Sequence, residues 1–245
     1  MTEDRAAGHG SAAGPAWRVA VTMAAIVLVE ALVCGISALP VVSAWWWLAG
    51  QTTGRPALDI AVASLLLAPA YAAFAVALIF VSPAATWLTG ARSPAPAEMR
   101  IAEASWPLMR WARYMAATHV VRTLAGPLLR GTQVWTFYMR LNGARIGRRV
   151  FINSLAVSDH NLLDFGDDAV IGGDVHLSGY TVEHGVVITA PVRLGPHVTI
   201  GLGSVVEIGV TVGAHGQVGA LSFVPKHTTI EEGAVYAGVP VKRIR

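Results

Sequence analysis

From Leu194 to Tyr236 an apolar residue returns every six positions: Leu194, Ile200, Val206, Val212, Val218, Val224, Ile230 and Tyr236. Phe165, Ile171 and Leu177 keep the same step in an earlier block, and Ile146 and Ile152 form another pair. Glycine often follows the apolar residue, as at Gly147, Gly166, Gly172, Gly195, Gly201, Gly213 and Gly219. Small or β-branched residues stand four places on, among them Val150, Ala169, Val198, Ser204 and Ser222. A period of six belongs neither to a helix nor to a strand. It requires a chain that turns a corner in the same way every six residues, with short strands between corners. Glycine's tolerance of positive φ suits such corners. Each coil buries its apolar residues against the coils above and below, which is the stacking logic of a parallel β-helix.

The runs FGDDAVIGGDVHLSG, VRLGPHVTIGLGSVVEIGVTVGAHGQVGA and YAGVPVKRIR resemble the hexapeptide-repeat acyltransferases. The resemblance implies a left-handed β-helix over 141–245 and assembly as a homotrimer. It also implies transfer of an acyl group from a thioester, usually of coenzyme A, to a hydroxyl or amine, with histidine as general base. The turn Ala237-Gly238-Val239-Pro240, followed by Lys242 and Arg243, is similar to the end of the sugar O-acetyltransferase branch. A narrower resemblance covers LNGARIGRRVFINSLAVSDHNLLDFGDDAVIGGDVHLSGYTVE and the apolar segments before it. It is to the C-terminal region of poly-lysine-synthetase-like nonribosomal peptide synthetases, a region associated with amide bonds between carrier-bound aminoacyl groups and free amines.

Only 13% of the 245 residues are charged, and the apolar excess lies before residue 90. That composition points to the bilayer. Residues 1–16 are small, polar and glycine-rich, so a disordered tail is expected. The region 17–140 is expected to anchor the chain. Val19 to Ala49 is too long for a signal-peptide core and suits a membrane helix, with Trp45, Trp46 and Trp47 at an interface. The predicted spans cover about 19–48 and 60–81. Glu30 lies inside the first and faces a partner helix or snorkels from it. Ten arginines and two acids, Glu98 and Glu103, lie between Arg92 and Arg149. The positive-inside rule therefore places this side, and the β-helix, in the cytoplasm, with the chain multi-pass in the inner membrane.

Arginines interleaved with Trp106, Trp111 and Trp135 over 98–140 suit interfacial helices on anionic lipid. A third span near 106–128 would bury three arginines at high cost. Nucleic acid is not an expected partner beside a membrane helix. The lone Cys34 can form no internal disulfide.

Regular coils are scaffold, so chemistry is expected where the period fails. From Ile152 to Phe165 the step is thirteen, one residue more than two hexads. From Leu177 to Leu194 it is seventeen, one short of three, and SGYTVEHGVVITAPVR is expected to leave the coil as a loop. Each break carries an acid beside a histidine: Asp159-His160 and Glu183-His184. Histidine titrates near working pH and suits a general base. In the acetyltransferase branch the catalytic histidine follows an LSxTG-like segment. Here Tyr180 occupies that place, which leaves three readings: His184 acts from the loop, His160 acts from a neighbouring coil, or the site is altered or inactive. His184 is preferred, and the other histidines are expected to be solvated surface groups, with His176 open. A zinc site from His160, His176 and His184 fits no known spacing, so no metal is expected.

No tightly bound cofactor is expected, and the donor is an acyl-CoA or the phosphopantetheine thioester of a carrier protein. Lys226, Lys242 and Arg243 are expected to meet its phosphate, with Gly238 and Pro240 shaping a groove. The sequence thus predicts a membrane-anchored acyl- or aminoacyltransferase with a possible carrier protein or synthetase acting in trans. The competing reading is a non-catalytic trimeric module that docks a synthetase or carrier at the membrane.

Overall fold

The computed structural model describes residues 13–245 apart from Thr52 and Ala95. The tail expected over 1–16 lies outside the described residues as far as residue 12. Two long helices, α1 (Ala13–Ala49) and α2 (Pro56–Leu88), lie against each other. Pro56 stands in the first turn of α2, where its missing N–H costs nothing. Asp59, also in that turn, accepts from the Thr53 hydroxyl at 2.8 Å.

Both helices are long and apolar enough to cross a membrane. Only 11% and 17% of their most apolar windows are buried within the protein. A core helix of a soluble domain would be mostly covered, so these apolar faces need another apolar environment. Trp17 and Trp87 are exposed near one end of the pair, and Trp46 and Trp47 at the other. Glu30 shares a small cavity with Thr86 of α2 and Arg113 of a third helix, so it faces packed helices.

That helix is α3 (Trp106–Leu124), followed by α4 (Gly126–Leu129) and α5 (Gln133–Leu141). The stretch expected to open an interfacial helix at 98 instead contains a strand, Ala97–Arg100. α3 packs on α1 and α2 and buries Leu108, Met109, Tyr114, Ala117 and Val121. α5 covers the first coil of the β-helix with Trp135, Tyr138 and Met139, all essentially inaccessible. The Trp135 indole N–H donates to Ser154 O at 3.2 Å, and Arg140 donates to Ile146 O at 3.0 Å. An exposed terminal coil would present unpaired strand edges, and α5 removes that liability.

From Arg145 onward two- and three-residue strands stack into three parallel walls of a left-handed β-helix. Thr199 pairs with Gln217, Val205 with Phe223 and Thr211 with Thr229, so one coil takes eighteen residues, or three hexads. In the two-residue strands from Phe151–Ile152 to Thr229–Ile230 the second residue points inward, and in Leu163–Phe165 and Val192–Leu194 the third does. Ile152, Ile171, Ile200 and Val218 stack in one wall and Phe165, Leu194, Val212 and Ile230 in another, all buried. The last strand, Lys242–Arg243, closes the far end antiparallel to Val235–Ala237.

The corners differ from expectation. The glycines that follow the apolar residue have no positive φ. They are needed because the next coil passes too close for a side chain: a Cβ on Gly166 would lie 2.4 Å from Pro196 N. Positive φ falls two residues later, at Asp168, Asp174, His197, Gly203, Gly209, His215, Leu221, His227 and Gly233. Asp, His and Gly tolerate the left-handed region better than most residues. His197, His215 and His227 are therefore corner residues, and His197 and His215 stack ring on ring with centroids 4.6 Å apart.

Candidate functional site

The two breaks are built differently. At the first, Arg145 pairs with Asp164, one residue beyond the eighteen-residue coil, so the single insertion lies between them. The extra turn holds Asp159 at φ 53° and starts a 3-10 turn at His160. Asp159 is fully buried, and no cation pairs with its carboxylate among the described residues. It is met by hydrogen-bond donors instead. Ser93 Oγ donates to Oδ1 at 2.5 Å, the Trp111 indole N–H to Oδ1 at 3.1 Å, and Ser158 Oγ to Oδ2 at 3.1 Å. The Gly179 backbone N–H also favours the carboxylate. Burial nevertheless dominates and raises its pKa above the usual range. A Cβ on Gly179 would lie 2.9 Å from Asp159 Cβ, which is why the chain has glycine there.

His160 is buried as well. Its ring meets the edges of Tyr114 and Tyr138, with centroids 6.4 Å and 5.6 Å away. Its Nε2 lies 3.2 Å from Val157 O, a pure acceptor, so Nε2 carries the proton. Nδ1 has no partner among the described residues. Burial lowers the imidazole pKa to about 4, so the ring is neutral at physiological pH. Its backbone N–H donates to Tyr114 Oη at 3.1 Å. Asp159 and His160 are neighbours in sequence but share no hydrogen bond or ion pair.

The second break is a hairpin rather than an irregular loop. Tyr180–Glu183 and Val186–Thr189 pair antiparallel, Glu183 opposite Val186. The two turn residues, His184 and Gly185, have φ of 48° and 77°, as tight hairpins with inverted turns require. Val170 pairs with Thr199 across this break, so the excursion adds eleven residues to the eighteen-residue coil. The apparent shortfall of one residue in the sequence was one hexad plus this insertion. The strand Ala97–Arg100 pairs with Val186–Thr189 and makes the hairpin three-stranded.

His184 is exposed at the hairpin tip, and Glu183 beside it forms an ion pair with Lys226 from a later coil. Tyr180, at the hairpin's base, is half-buried with Trp111 edge-on at 5.1 Å. No hydrogen bond, ion pair or ring contact joins His184 to His160. Arg243 pairs with Glu231 at 2.5 Å, Gly238 has φ 106° with its N–H on Ser222 Oγ, and Lys242 and Pro240 lie nearby in the final turn. Among the described residues no group of three His, Cys, Asp or Glu is placed to hold a metal ion.

Sequence reasoning missed Ser93, Trp111, Ser158 and Ser178 as partners at the first break. Ser158 Oγ also lies 3.0 Å from Ser178 Oγ, a hydroxyl pair within hydrogen-bond distance that links the two breaks. Nothing in a linear pattern marks Ser93, which lies 66 residues from Asp159.

A delta-poly-L-ornithine synthetase from Acinetobacter baumannii is 30% identical over 117 residues, 48% of this chain and 9% of that protein. The galactoside O-acetyltransferase of Escherichia coli is 36% identical over 108 residues, 41% of this chain and 52% of that protein. The likeness is to the hexapeptide-repeat acyltransferases. This chain thus spans about half the length of one curated relative and under a tenth of the other. A hexapeptide-repeat acetyltransferase from Vibrio cholerae, solved with acetyl-CoA, aligns at 25% identity over 42% of this chain and 60% of its own, with a TM-score of 0.38. No family model matches the chain.

Proposed function

We propose that this protein is a membrane-anchored acyltransferase of the hexapeptide-repeat type. It moves an acyl group from a coenzyme A or phosphopantetheine thioester to an amine or hydroxyl. The observation that carries the reading is the 36% identity to galactoside O-acetyltransferase over 108 residues, together with an accessible histidine at the broken coil. His184 takes the proton as the acceptor attacks the thioester carbonyl. The tetrahedral intermediate then expels the thiolate, which recovers that proton from the imidazolium. His160 serves this role less well, because its ring is enclosed and its Nε2 proton is engaged by Val157 O. Glu183, held by Lys226, fixes the tip from which His184 projects. Lys242 and Arg243 meet the donor phosphate at the Gly238–Pro240 turn, in a groove between protomers of a trimer.

The two apolar helices fix the chain in the inner membrane as a multi-pass anchor. The arginine-rich segment after α2 keeps the β-helix on the cytoplasmic side, where acyl-CoA is available. A carrier protein or synthetase would act in trans.

The competing reading, a docking module without chemistry, draws on Tyr180 at the place of the family's histidine. It also draws on the turn geometry that His184 satisfies. The test is thiol release from acetyl-CoA and aminoacyl-pantetheine by the detergent-solubilised protein, with mixed amines and alcohols as acceptors. His184→Asn keeps a residue that accepts positive φ, so it removes the base without removing the turn. Release that falls about 10²–10⁴-fold in this variant establishes the base. Unchanged release discards His184, and no release from the wild type with any donor leaves the docking module.

A further inference from the structure

A cleft of about 610 Å³ lies between one wall of the β-helix and the chain that leaves α2. Its size is that of a small-molecule site. On the wall side Arg145, Asp164 and Arg193 stand in register on successive coils. On the other side are Arg92 and Arg110, the latter in the second turn of α3. Four guanidinium groups therefore surround one carboxylate. Asp164 lies 4.0 Å from Arg145, while Arg92, Arg110 and Arg193 have no side-chain partner among the described residues.

At the next corner of the same two coils the charges are matched: Arg148 pairs with Asp167 and Arg149 with Asp168. The cleft is where matching stops. Unneutralised like charges around one cavity repel, and an anion entering it would relieve the repulsion. The lining is also stiff, since Pro94, Pro96, Pro107 and Pro191 each fix a backbone φ. α3 begins at the cleft with no acidic residue in its first turn and no side-chain cap from Ser105, so its N-terminal dipole adds to the positive field.

We propose that this cleft is a binding site for a phosphate-bearing ligand. Guanidinium forks match phosphate oxygens in geometry and charge. The site is distinct from the final turn and does not depend on His184 being a base. It opens beside Gly90, just past the end of α2 and the exposed Trp87. Two sources of phosphate can therefore reach it: the headgroup of an anionic phospholipid, or a soluble phosphorylated molecule.

The full-length protein in a neutral detergent would be titrated calorimetrically with inorganic pyrophosphate, with short-chain phosphatidylglycerol and with short-chain phosphatidylcholine. Arg110→Ala and Arg193→Ala are compared with Arg100→Ala, which lies outside the cleft. The three side chains are exposed, and circular dichroism checks that each variant folds. Pyrophosphate binding that weakens roughly tenfold for each cleft arginine removed, and not for Arg100→Ala, supports the site with a soluble ligand. The same pattern for phosphatidylglycerol alone supports a lipid headgroup, and the pattern for both shows that the cleft reads the shared phosphate. Absence of binding by all probes, or binding that the cleft variants leave unchanged, overturns the proposal.

Discussion

The Trp111 indole N–H donates to Asp159 Oδ1 at 3.1 Å, joining a helix packed on α1 and α2 to the first break of the β-helix. The same carboxylate draws in Ser93 and Ser158, so one buried group fastens the linker, α3 and the irregular coil together. Asp159→Asn replaces one acceptor oxygen with an NH₂ group that opposes a donor. It is expected to destabilise the protein by about 1–3 kcal/mol, as unfolding in denaturant would measure. A loss below experimental error would mean that water, rather than this network, satisfies the break.

His160 gives the fold a pH dependence with a defined sign. Its pKa is lowered to about 4 from an ordinary value near 6.5, so the unfolded chain binds its proton more readily than the folded one. The associated stability is present above pH 6.5, declines as pH falls, and is gone below pH 4. Its size is roughly 3 kcal/mol from the linkage relation. Asp159, whose pKa burial raises, works in the opposite sense. His160→Gln should flatten the stability profile between pH 6.5 and 4, and an unchanged profile would place the acid sensitivity elsewhere.

Glycines in this chain serve two purposes that mutation separates. Gly166→Ala would put Cβ against Pro196 N and Gly195 C of the next coil, both backbone atoms that cannot move aside. Gly185→Ala meets nothing within 4 Å but must hold φ near 77°. The first substitution is expected to cost about 3 kcal/mol or more and the second about 1 kcal/mol. Thermal unfolding of the two variants would reverse that order only if the coils can separate.

Leu221 occupies a corner at φ 55° while 71% exposed, a backbone conformation that a branched side chain tolerates poorly. Leu221→Asn should relieve that strain and raise stability by about 0.5–1 kcal/mol. A lower melting temperature would show that Leu221 makes an apolar contact worth more than the strain.

The hexad pattern made the coils legible because it records which side chain faces inward, and that is set locally every six residues. The positions of His197, His215 and His227 are equally regular, but nothing in their spacing separates a corner histidine from an ordinary surface one. The corner glycines are ambiguous in sequence, since close approach between coils and positive φ both favour glycine in a one-dimensional pattern. The hairpin was legible only as a loss of register. Its eleven added residues happen to fall one short of two hexads, which disguised an insertion as a deletion. The surroundings of Asp159 and the arginine cleft depend on chain segments far apart in sequence, and periodicity carries no information about them.

Pairing of the strand Ala97–Arg100 with Val186–Thr189 joins residues about ninety positions apart. At ribosomal rates of about 5–20 residues per second, the first strand emerges some 5–20 s before its partner exists. During that interval its Met99 has no Val187 to pack on. The hairpin's sheet is therefore a late event in biogenesis, and the first strand waits unpaired until the hairpin has been made.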